Sequence, residues 1–326
     1  MSRRVDWFER LTGFAESEHA VREQLQVEGE FLHSRANGAT YRIGRLETPS
    51  LFELRERVRH MSISNGPLQV KTVKGDARAL HRDLAYQGAL FQVASQFNLL
   101  EMTGPSVCPE DGITRYAFDA TQGPACAIAA GAATIYRNYF VPLEDQVGQS
   151  ARSQVDTLAD LGSALSQVLE VPVSALWTMR NGYALCTADG LRRIGAHLAS
   201  LDASGRDALR ARLRIGLHWN VEVTDETRPP RPVVSQAFCS ALPVAYSSVP
   251  PKLWEPFARL VLEAAYEATL LAAALHPSLG GRPIVALTRL GGGAFGNDSR
   301  WIDDAIDHAF NSVGDLAIEA HLVTLR

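Results

Sequence analysis

The stretch that decides the fold is ALFQVASQFNLLEMTGPSVCPEDGITRYAFDATQGPACAIAAGA, residues 89–132. Its first six residues form an apolar run that is too short for a typical helix, so we predict a buried strand there. Polar residues follow, then a segment that carries carboxylates, then a run of small side chains. In an open α/β sheet, ligands bind beyond the carboxyl ends of the strands. The order of these features therefore predicts a ligand site.

The polar residues after the strand are Ser95-Gln96-Phe97-Asn98. In that position, polar side chains point into the crevice where an α/β sheet binds its ligand. They also suit a polar turn whose amides satisfy local backbone groups, which is the commoner role of any single amide residue. Both interpretations stay open, and Gln96 and Asn98 are candidate ligand-binding residues.

Small side chains occupy nearly every position from Gln122 to Ala132. When such residues open a helix, a ligand can approach the backbone, and the free N–H groups of the first turn suit a phosphate. A helix packed tightly on a sheet also requires Ala and Gly. The two interpretations are compatible.

A second loop of this kind, GGGAFGN at residues 291–297, follows a predicted strand at 283–288 and precedes a predicted helix. Strand, glycine-rich loop and helix in this order cradle phosphate with backbone amides. The spacing of Gly291, Gly293 and Gly296 also matches a dinucleotide fingerprint, with Glu319 at a suitable distance for a ribose contact. Such a fingerprint opens a doubly wound domain, whereas no further βαβ pattern follows this loop.

A third landmark is Gly75-Asp76, which follows a predicted strand at 68–73. Asp after Gly commonly caps the turn or helix that comes next. A carboxylate is also an acceptor with no competing donor, which suits the exocyclic amine of a base. Both roles are open for Asp76.

The composition of the chain is that of a globular protein: 326 residues, 46% hydrophobic and 21% charged. A net charge of −4 provides no basic field for a nucleic-acid backbone. The longest apolar run, near Leu260–Leu275, is interrupted by Glu263 and Glu267, and no secretory apolar core follows the first residues. We expect neither nucleic acid nor membrane as a partner.

The four cysteines are far apart in sequence and form no C-x-x-C pair: Cys108, Cys126, Cys186 and Cys239. This spacing argues against a structural zinc or redox motif and is typical of reduced thiols. We therefore expect a cytoplasmic protein.

Two regions are predicted. Residues 1–65 form a mainly helical N-terminal extension packed on the main domain, with an Asn37-Gly38 turn between short strands and a helix at 51–61 that Ser50 and Glu53 cap. Residues 66–326 form the main domain. Its other predicted elements are helices at 155–168, at 188–213 (as two helices) and at 253–275, a hairpin at 177–186 with an Asn-Gly turn, and strands at 215–223, 232–246 and 316–325.

Four of these landmarks resemble, in order, those of the macrodomain: Gly75-Asp76, the strand that ends at Asn98, GPACAIAAGA at 123–132 and LTRLGGGAFGN at 287–297. The resemblance covers about residues 68–326. The usual Asn-Ala-Ala-Asn run is replaced by residues 94–98, and a segment with carboxylates, residues 101–119, is inserted before the first phosphate loop. These departures are similar to the MavL-like arginine-specific ADP-ribosylhydrolase macrodomains.

The resemblance implies an α/β fold with a macrodomain-like mixed sheet between helices and an ADP-ribose site in the crevice. It implies no metal and no cofactor, with ADP-ribose as ligand or product and an ADP-ribosylated protein as partner. Asp76 would hold adenine, and Asn98 would lie at the distal ribose. The implied ligand-binding residues are Asp76, Ala77, Gln96, Asn98, Gln122, Gly123, Pro124, Ala125, Cys126, Gly291, Gly292, Gly293, Ala294, Phe295, Gly296 and Asn297.

The inserted segment supplies candidate catalytic carboxylates: Glu101, Glu110, Asp111 and Asp119. A carboxylate can stabilise an oxocarbenium-like transition state or activate water, and a second one can hold a departing guanidinium. We favour Asp111, which begins an Asp-Gly turn, and Asp119, which lies just before the phosphate loop. The commoner role of any one of them is a solvated surface charge.

The function that this reading predicts is hydrolysis of ADP-ribose from ADP-ribosylated arginine on a protein. An alternative is a non-catalytic ADP-ribose reader, which would not need the acidic insertion. A third is an NAD-dependent oxidoreductase, which would need one tight dinucleotide site at 291–296. The sequence leaves open the target protein, the oligomeric state and the role of the N-terminal extension.

Overall fold

A computed structural model describes residues 5–61, 63–226 and 228–324. Residues 1–4 of the predicted extension lie outside the described residues, as do residues 325–326 at the end of the predicted last strand.

Helices and strands are both distributed along the described chain. The strands are β1 (Leu25–Glu28), β2 (Phe31–Ser34), β3 (Thr40–Arg42), β4 (Arg45–Glu47), β5 (Gln69–Lys74), β6 (Leu90–Ala94), β7 (Trp177–Arg180), β8 (Tyr183–Cys186), β9 (Gly216–Glu222), β10 (Val233–Cys239), β11 (Ile284–Leu287) and β12 (Glu319–Thr324). The helices are α1 (Trp7–Thr12), α2 (Glu18–Gln24), α3 (Leu51–His60), α4 (Ala77–Arg82), α5 (Gln122–Ala129), α6 (Gly131–Tyr139), α7 (Ala159–Leu169), α8 (Val173–Leu176), α9 (Ala188–Ser200), α10 (Ala203–Arg210), α11 (Pro251–Leu275) and α12 (Ser299–Ser312).

The central sheet of the described chain has seven strands in the order β4-β9-β10-β6-β11-β12-β5. The five strands β10, β6, β11, β12 and β5 run parallel to one another. Strand β9 runs antiparallel to both β10 and β4. Helices cover both faces. The predicted α/β class, with a mixed sheet between helices, is confirmed.

Alternation along the central strands sends side chains to two separate cores. Leu90 and Val285 pack with the long helix α11 on one face. Phe91 and Ala286 pack with Cys126 of α5 on the other face. Successive side chains of a strand point to opposite faces, so a strand buried on both sides is apolar throughout. This explains why β6 is apolar except at Gln92.

The N-terminal segment contains the predicted helices together with short strands. The predicted capping box is present: Ser50 Oγ accepts from Glu53 N at 3.2 Å, and Ser50 N donates to Glu53 Oε2 at 2.7 Å. The Asn37-Gly38 turn joins β2 to β3, and β4 forms one edge of the central sheet. Phe8 lies in a core that includes Ile128 of α5. The segment therefore packs directly against the elements that follow.

No helix in the described part of the chain combines the length and the apolarity that a membrane crossing requires.

Candidate active site

A cavity of about 550 Å³ opens where β6 and β11 separate. The two strands pair only at Val285 with Leu90 and at Ala286 with Phe91, so the rest of β6 has no strand on that side. A gap between the carboxyl ends of neighbouring parallel strands is the place where α/β sheets bind ligands. The opening of the sheet therefore creates the site.

Glutamine side chains replace the missing strand along β6. Gln122 Oε1 accepts from Ala94 N at 2.9 Å, and Gln122 Nε2 donates to Gln92 O at 3.0 Å. Gln92 Oε1 in turn accepts from Thr288 N, just after the end of β11, at 3.2 Å. Buried backbone groups must find partners, and these amides supply them. Gln122 thus lines the cavity and also holds it open.

The predicted first phosphate loop is the start of α5. Thr121 at the N-cap position makes no side-chain hydrogen bond to the first turn. Gly123 is pressed against the end of β6, where an added Cβ would lie 2.1 Å from Ala94 O and 3.1 Å from Glu101 Cγ. Only glycine allows this close approach. Gly123 therefore packs tightly, as the structural interpretation requires, and it also lines the cavity, while binding of a phosphate there stays a prediction.

The predicted second phosphate loop lies on the opposite wall. Tyr266 anchors its start, since its hydroxyl donates to Thr288 O at 2.6 Å and accepts from Leu290 N at 2.8 Å. Asn297 closes its end by donating to Leu242 O at 2.9 Å. Between these anchors, Gly293 has no heavy atom within 4 Å of an added Cβ. The loop is thus held at both ends and open to the cavity in the middle.

Asp76 performs the capping role and also lines the cavity. Its Oδ1 accepts from Ala79 N at 2.9 Å, at the start of α4. The structure is compatible with both predicted roles.

Eleven of the sixteen predicted ligand-binding residues line the cavity: Asp76, Ala77, Gln96, Gln122, Gly123, Pro124, Ala125, Gly291, Gly293, Ala294 and Phe295. The remaining five are not among its lining residues: Asn98, Cys126, Gly292, Gly296 and Asn297.

Asn98 does not lie at the cavity because its amide is used within the fold. Its Nδ2 donates to Gln154 Oε1 at 2.9 Å, and its Oδ1 accepts from Leu100 N at 3.1 Å. The alternative of a polar turn fits Asn98. Gln96 shares that role, since its Oε1 accepts from Met102 N at 2.8 Å, although it also lines the cavity.

The four predicted carboxylates divide into two pairs. Glu101 and Asp119 line the cavity, whereas Glu110 and Asp111 do not. Glu110 is exposed and accepts from Ala151 N at 2.9 Å. Asp111 accepts from Cys108 N at 2.9 Å, and this bond holds the pKa of Asp111 below its ordinary value. The preference for Asp111, based on its exposed turn, selected a residue that stabilises a local turn.

Glu101 is a buried carboxyl beside the cavity. Its side chain is 1% exposed, and burial raises its pKa to about 8, although Arg137 acts in the opposite direction. Arg137 Nη2 lies 3.5 Å from Glu101 Oε1, and its guanidinium stacks over Phe238. Among the described residues, Glu101 Oε2 has no hydrogen-bond partner. A raised pKa favours the protonated form of this carboxyl group, which can donate a proton.

Asp119 differs from Glu101 because it is only partly buried. Its Oδ1 accepts from Thr121 N at 2.8 Å. The two carboxyl groups therefore share one cavity in contrasting environments, which is an arrangement that supports acid and base chemistry together.

Aromatic side chains form a wall that the sequence analysis did not identify, apart from Phe295. The ring of Tyr183 lies 5.3 Å from that of Phe295 and 5.1 Å from that of Tyr246. Tyr183 belongs to the predicted β7–β8 hairpin, but hairpin patterns carry no information on where the hairpin packs. Other lining residues that were missed include Met102, Thr103, Ala241, Thr288 and Arg289.

In the described parts of the chain, no group of three or more His, Cys, Asp or Glu side chains could hold a metal ion.

Comparisons with known proteins identify similar solved structures only. No family model matches the chain, and no curated protein matches it. Poly(ADP-ribose) glycohydrolase from Deinococcus radiodurans in complex with ADP-ribose has a TM-score of 0.44 and 15% identity, and the match covers 86% of each chain. Poly(ADP-ribose) glycohydrolase from Thermomonospora curvata, bound to the inhibitor ADP-HPD, has a TM-score of 0.41 and 11% identity, covering 94% of this chain and 88% of that chain.

Proposed function

We propose that the cavity binds ADP-ribose and that the chain hydrolyses the bond between ADP-ribose and its acceptor. The observation that carries this proposal is the location of Glu101 and Asp119 in one cavity with two loops of small residues. Backbone amides suit the phosphates, and the carboxyl groups suit the glycosidic bond.

The walls of the cavity suggest how ADP-ribose binds. A volume of about 550 Å³ is within the usual range for a ligand of this size. We assign the pyrophosphate to the space between residues 123–125 and 291–295, where Gly293 leaves the wall open. Adenine then lies toward Asp76, whose second carboxylate oxygen accepts from the adenine amine. The distal ribose lies toward Glu101 and Asp119.

The two carboxyl groups take complementary roles in this proposal. Glu101 is protonated below about pH 8 and donates its proton to the leaving atom as the glycosidic bond breaks. Asp119 stabilises the positive charge on the ribose and accepts a proton from the attacking water, whose oxygen bonds to the anomeric carbon. Proton exchange with solvent then restores both groups.

Within this function, we propose arginine-linked ADP-ribose on a protein as the substrate. A departing guanidinium is favoured by a carboxylate such as Asp119 and by aromatic faces, which Tyr183 and Tyr246 provide at the same cavity. The reader function lacks a reason for Glu101, because a buried carboxyl group with a raised pKa is costly and is typical of catalytic sites.

The test is an assay of ADP-ribose release by the wild-type chain. Arginine-, glutamate- and serine-linked ADP-ribosylated proteins are compared, together with poly(ADP-ribose), which the names of the similar glycohydrolases mention. Calorimetry with ADP-ribose and with NAD is run beside it. We expect release from the arginine-linked protein and tighter binding of ADP-ribose than of NAD.

Gly293→Glu tests the proposed position of the pyrophosphate. The added side chain has room in the fold but places bulk and negative charge at the proposed phosphate site. It should abolish binding of ADP-ribose and leave the melting temperature unchanged.

The wild-type assay separates the candidate functions. Release of ADP-ribose only from a linkage other than arginine would reject the arginine proposal. Binding of ADP-ribose without release would favour the reader, and tighter binding of NAD than of ADP-ribose would favour the oxidoreductase.

A further inference from the structure

Phe118 is the most exposed of the large hydrophobic side chains in the described residues, at 92%. It precedes Asp119, which lines the cavity, but Phe118 itself is not among the lining residues. Its neighbours Ala117 and Ala120 are small and also exposed, so the ring projects alone. An aromatic ring exposed to this extent offers a large apolar contact area to a partner that covers it.

The turn that carries Phe118 is firmly held. It is a 3₁₀ turn, Thr114–Phe118, in which Tyr116 is fully buried and its hydroxyl accepts from Glu101 N at 3.0 Å. Glu16 fixes the start of the turn by accepting from Thr114 N at 2.8 Å and from Thr114 Oγ1 at 2.7 Å. The ring is therefore presented by an ordered segment, which lowers the entropy cost of a contact.

The position of this ring relative to the site limits what can reach it. Phe118 and Asp119 are adjacent residues, so their Cα atoms are about 3.8 Å apart. In the proposed function, the acceptor of the ADP-ribose must reach solvent, and of the two carboxyl groups at the cavity Asp119 is the one that is partly exposed, whereas Glu101 is buried. ADP-ribose itself occupies the cavity, which Phe118 does not line. The group that meets the ring is thus the acceptor's own polypeptide.

We propose that Phe118 binds the polypeptide that carries the ADP-ribose, and that it makes the enzyme favour protein-linked ADP-ribose over the same linkage on a free amino acid. This inference rests on the proposed function and specifies its substrate as a folded or extended polypeptide. Single aromatic anchors of this kind commonly dominate the energetics of protein contacts.

The experiment compares Phe118→Ala with the wild type on two substrates that share one linkage: an arginine-ADP-ribosylated protein and free ADP-ribosyl-arginine. We expect KM for the protein to rise about tenfold, as loss of a buried aromatic contact would cause. The value of kcat, KM for the free amino acid and Kd for ADP-ribose should stay within about twofold of the wild type. Phe118→Trp should restore KM for the protein.

Phe52→Ala is the control, since Phe52 is another exposed aromatic, 56% exposed, on α3 outside the cavity. It should leave KM and kcat unchanged for both substrates. Equal effects of Phe118→Ala on both substrates, or no effect on either, would overturn the inference. If the wild type binds ADP-ribose without releasing it, hydrolysis fails as a function, and the same comparison is made with Kd for the modified protein and for ADP-ribose. If the wild type binds neither ligand, both proposals fail.

Discussion

Glu101 follows β6 by seven residues and becomes buried because several distant segments close around it. Gly123 approaches its Cγ, the hydroxyl of Tyr116 binds its backbone N–H, and Arg137 lies beside its carboxyl group. Burial also lowers the pKa of Arg137. Burial raises the pKa of Glu101 in spite of Arg137, because the contact between the pair is long and Glu101 Oε2 has no partner among the described residues.

Glu101→Gln tests the proposed proton donor. The substitution keeps the size of the side chain and removes its proton, so the rate of ADP-ribose release should fall by roughly 10²–10⁴-fold. Binding of free ADP-ribose should persist, since the product has no leaving group to protonate. Single-turnover rates and calorimetric affinities are the measurements.

Glu110→Gln is the matched control, because Glu110 belongs to the same segment but does not line the cavity. It should keep the wild-type rate; a loss equal to that of Glu101→Gln would count against the assignment.

The pH dependence gives a second test of Glu101 as the proton donor. Since Glu101 must be protonated, the wild-type rate should fall as pH rises through about 8. Its pKa is raised from 4.5, so the folded state binds the extra proton, and stability should also fall between about pH 4.5 and 8. Glu101→Gln should lack this slope.

At the scale of elements, the segment from residue 101 to residue 119 brings Glu101 and Asp119 to the cavity and carries the exposed Phe118 next to Asp119 in sequence, although it has little regular structure. Glu16 from the N-terminal segment holds its middle. The carboxylate accepts from the N–H groups of Ile113 and Thr114 and from the hydroxyl of Tyr139, which donates to Oε1 at 2.8 Å. We therefore propose a role for the N-terminal extension: it orders the segment that carries the proposed catalytic carboxyl groups.

Glu16→Ala should therefore weaken catalysis from outside the cavity. Hydrogen bonds to a charged group are each worth about 1.5–3 kcal/mol, so we expect a lower melting temperature together with lower rates. The rates on protein-linked and on free ADP-ribosyl-arginine should fall together, because Asp119 loses its position. Kinetics on both substrates and thermal denaturation are measured beside Glu23→Gln, a change at an exposed residue of α2. A stable Glu16→Ala variant with wild-type rates would contradict this role.

At the scale of the whole molecule, the N-terminal segment and the main domain share a hydrophobic core and the central sheet. Phe8 and Leu11 of α1 lie in one core with Ile128 of α5 and Ile135 of α6, and β4 pairs with β9. Apolar side chains that pack together across a proposed boundary couple the two sides energetically. The boundary between residues 65 and 66 stays a prediction, but this packing favours cooperative unfolding across it.

Phe8→Ala tests that coupling. Phe8 is fully buried, so its truncation should cost about 3–5 kcal/mol. Circular dichroism and tryptophan fluorescence should report one transition with a shared, lower midpoint. Two separated transitions, with only the first shifted, would instead indicate an extension that unfolds independently.

The sequence by itself determined the features that depend on a few neighbouring residues. The burial of β6 followed from its apolar run, the capping box at Ser50 from its spacing to Glu53, and the β7–β8 hairpin from its Asn-Gly turn. Parts of both loops of small residues, residues 123–125, 291 and 293–295, also line the cavity, and their composition suits close backbone approach wherever they pack. These preferences act over a few residues, so a linear pattern records them.

Only the tertiary structure decided which polar groups face the cavity. Asn98 turns to Gln154, more than fifty residues away, and Asp111 stabilises its own turn. Glu101 is enclosed by residues from α5, α6 and the Tyr116 turn, and Tyr183 reaches the site from a hairpin far along the chain. Burial and the pKa of a carboxyl group depend on which distant segments surround it. No local pattern contains that information, because desolvation is set by packing and not by the residue's neighbours in sequence.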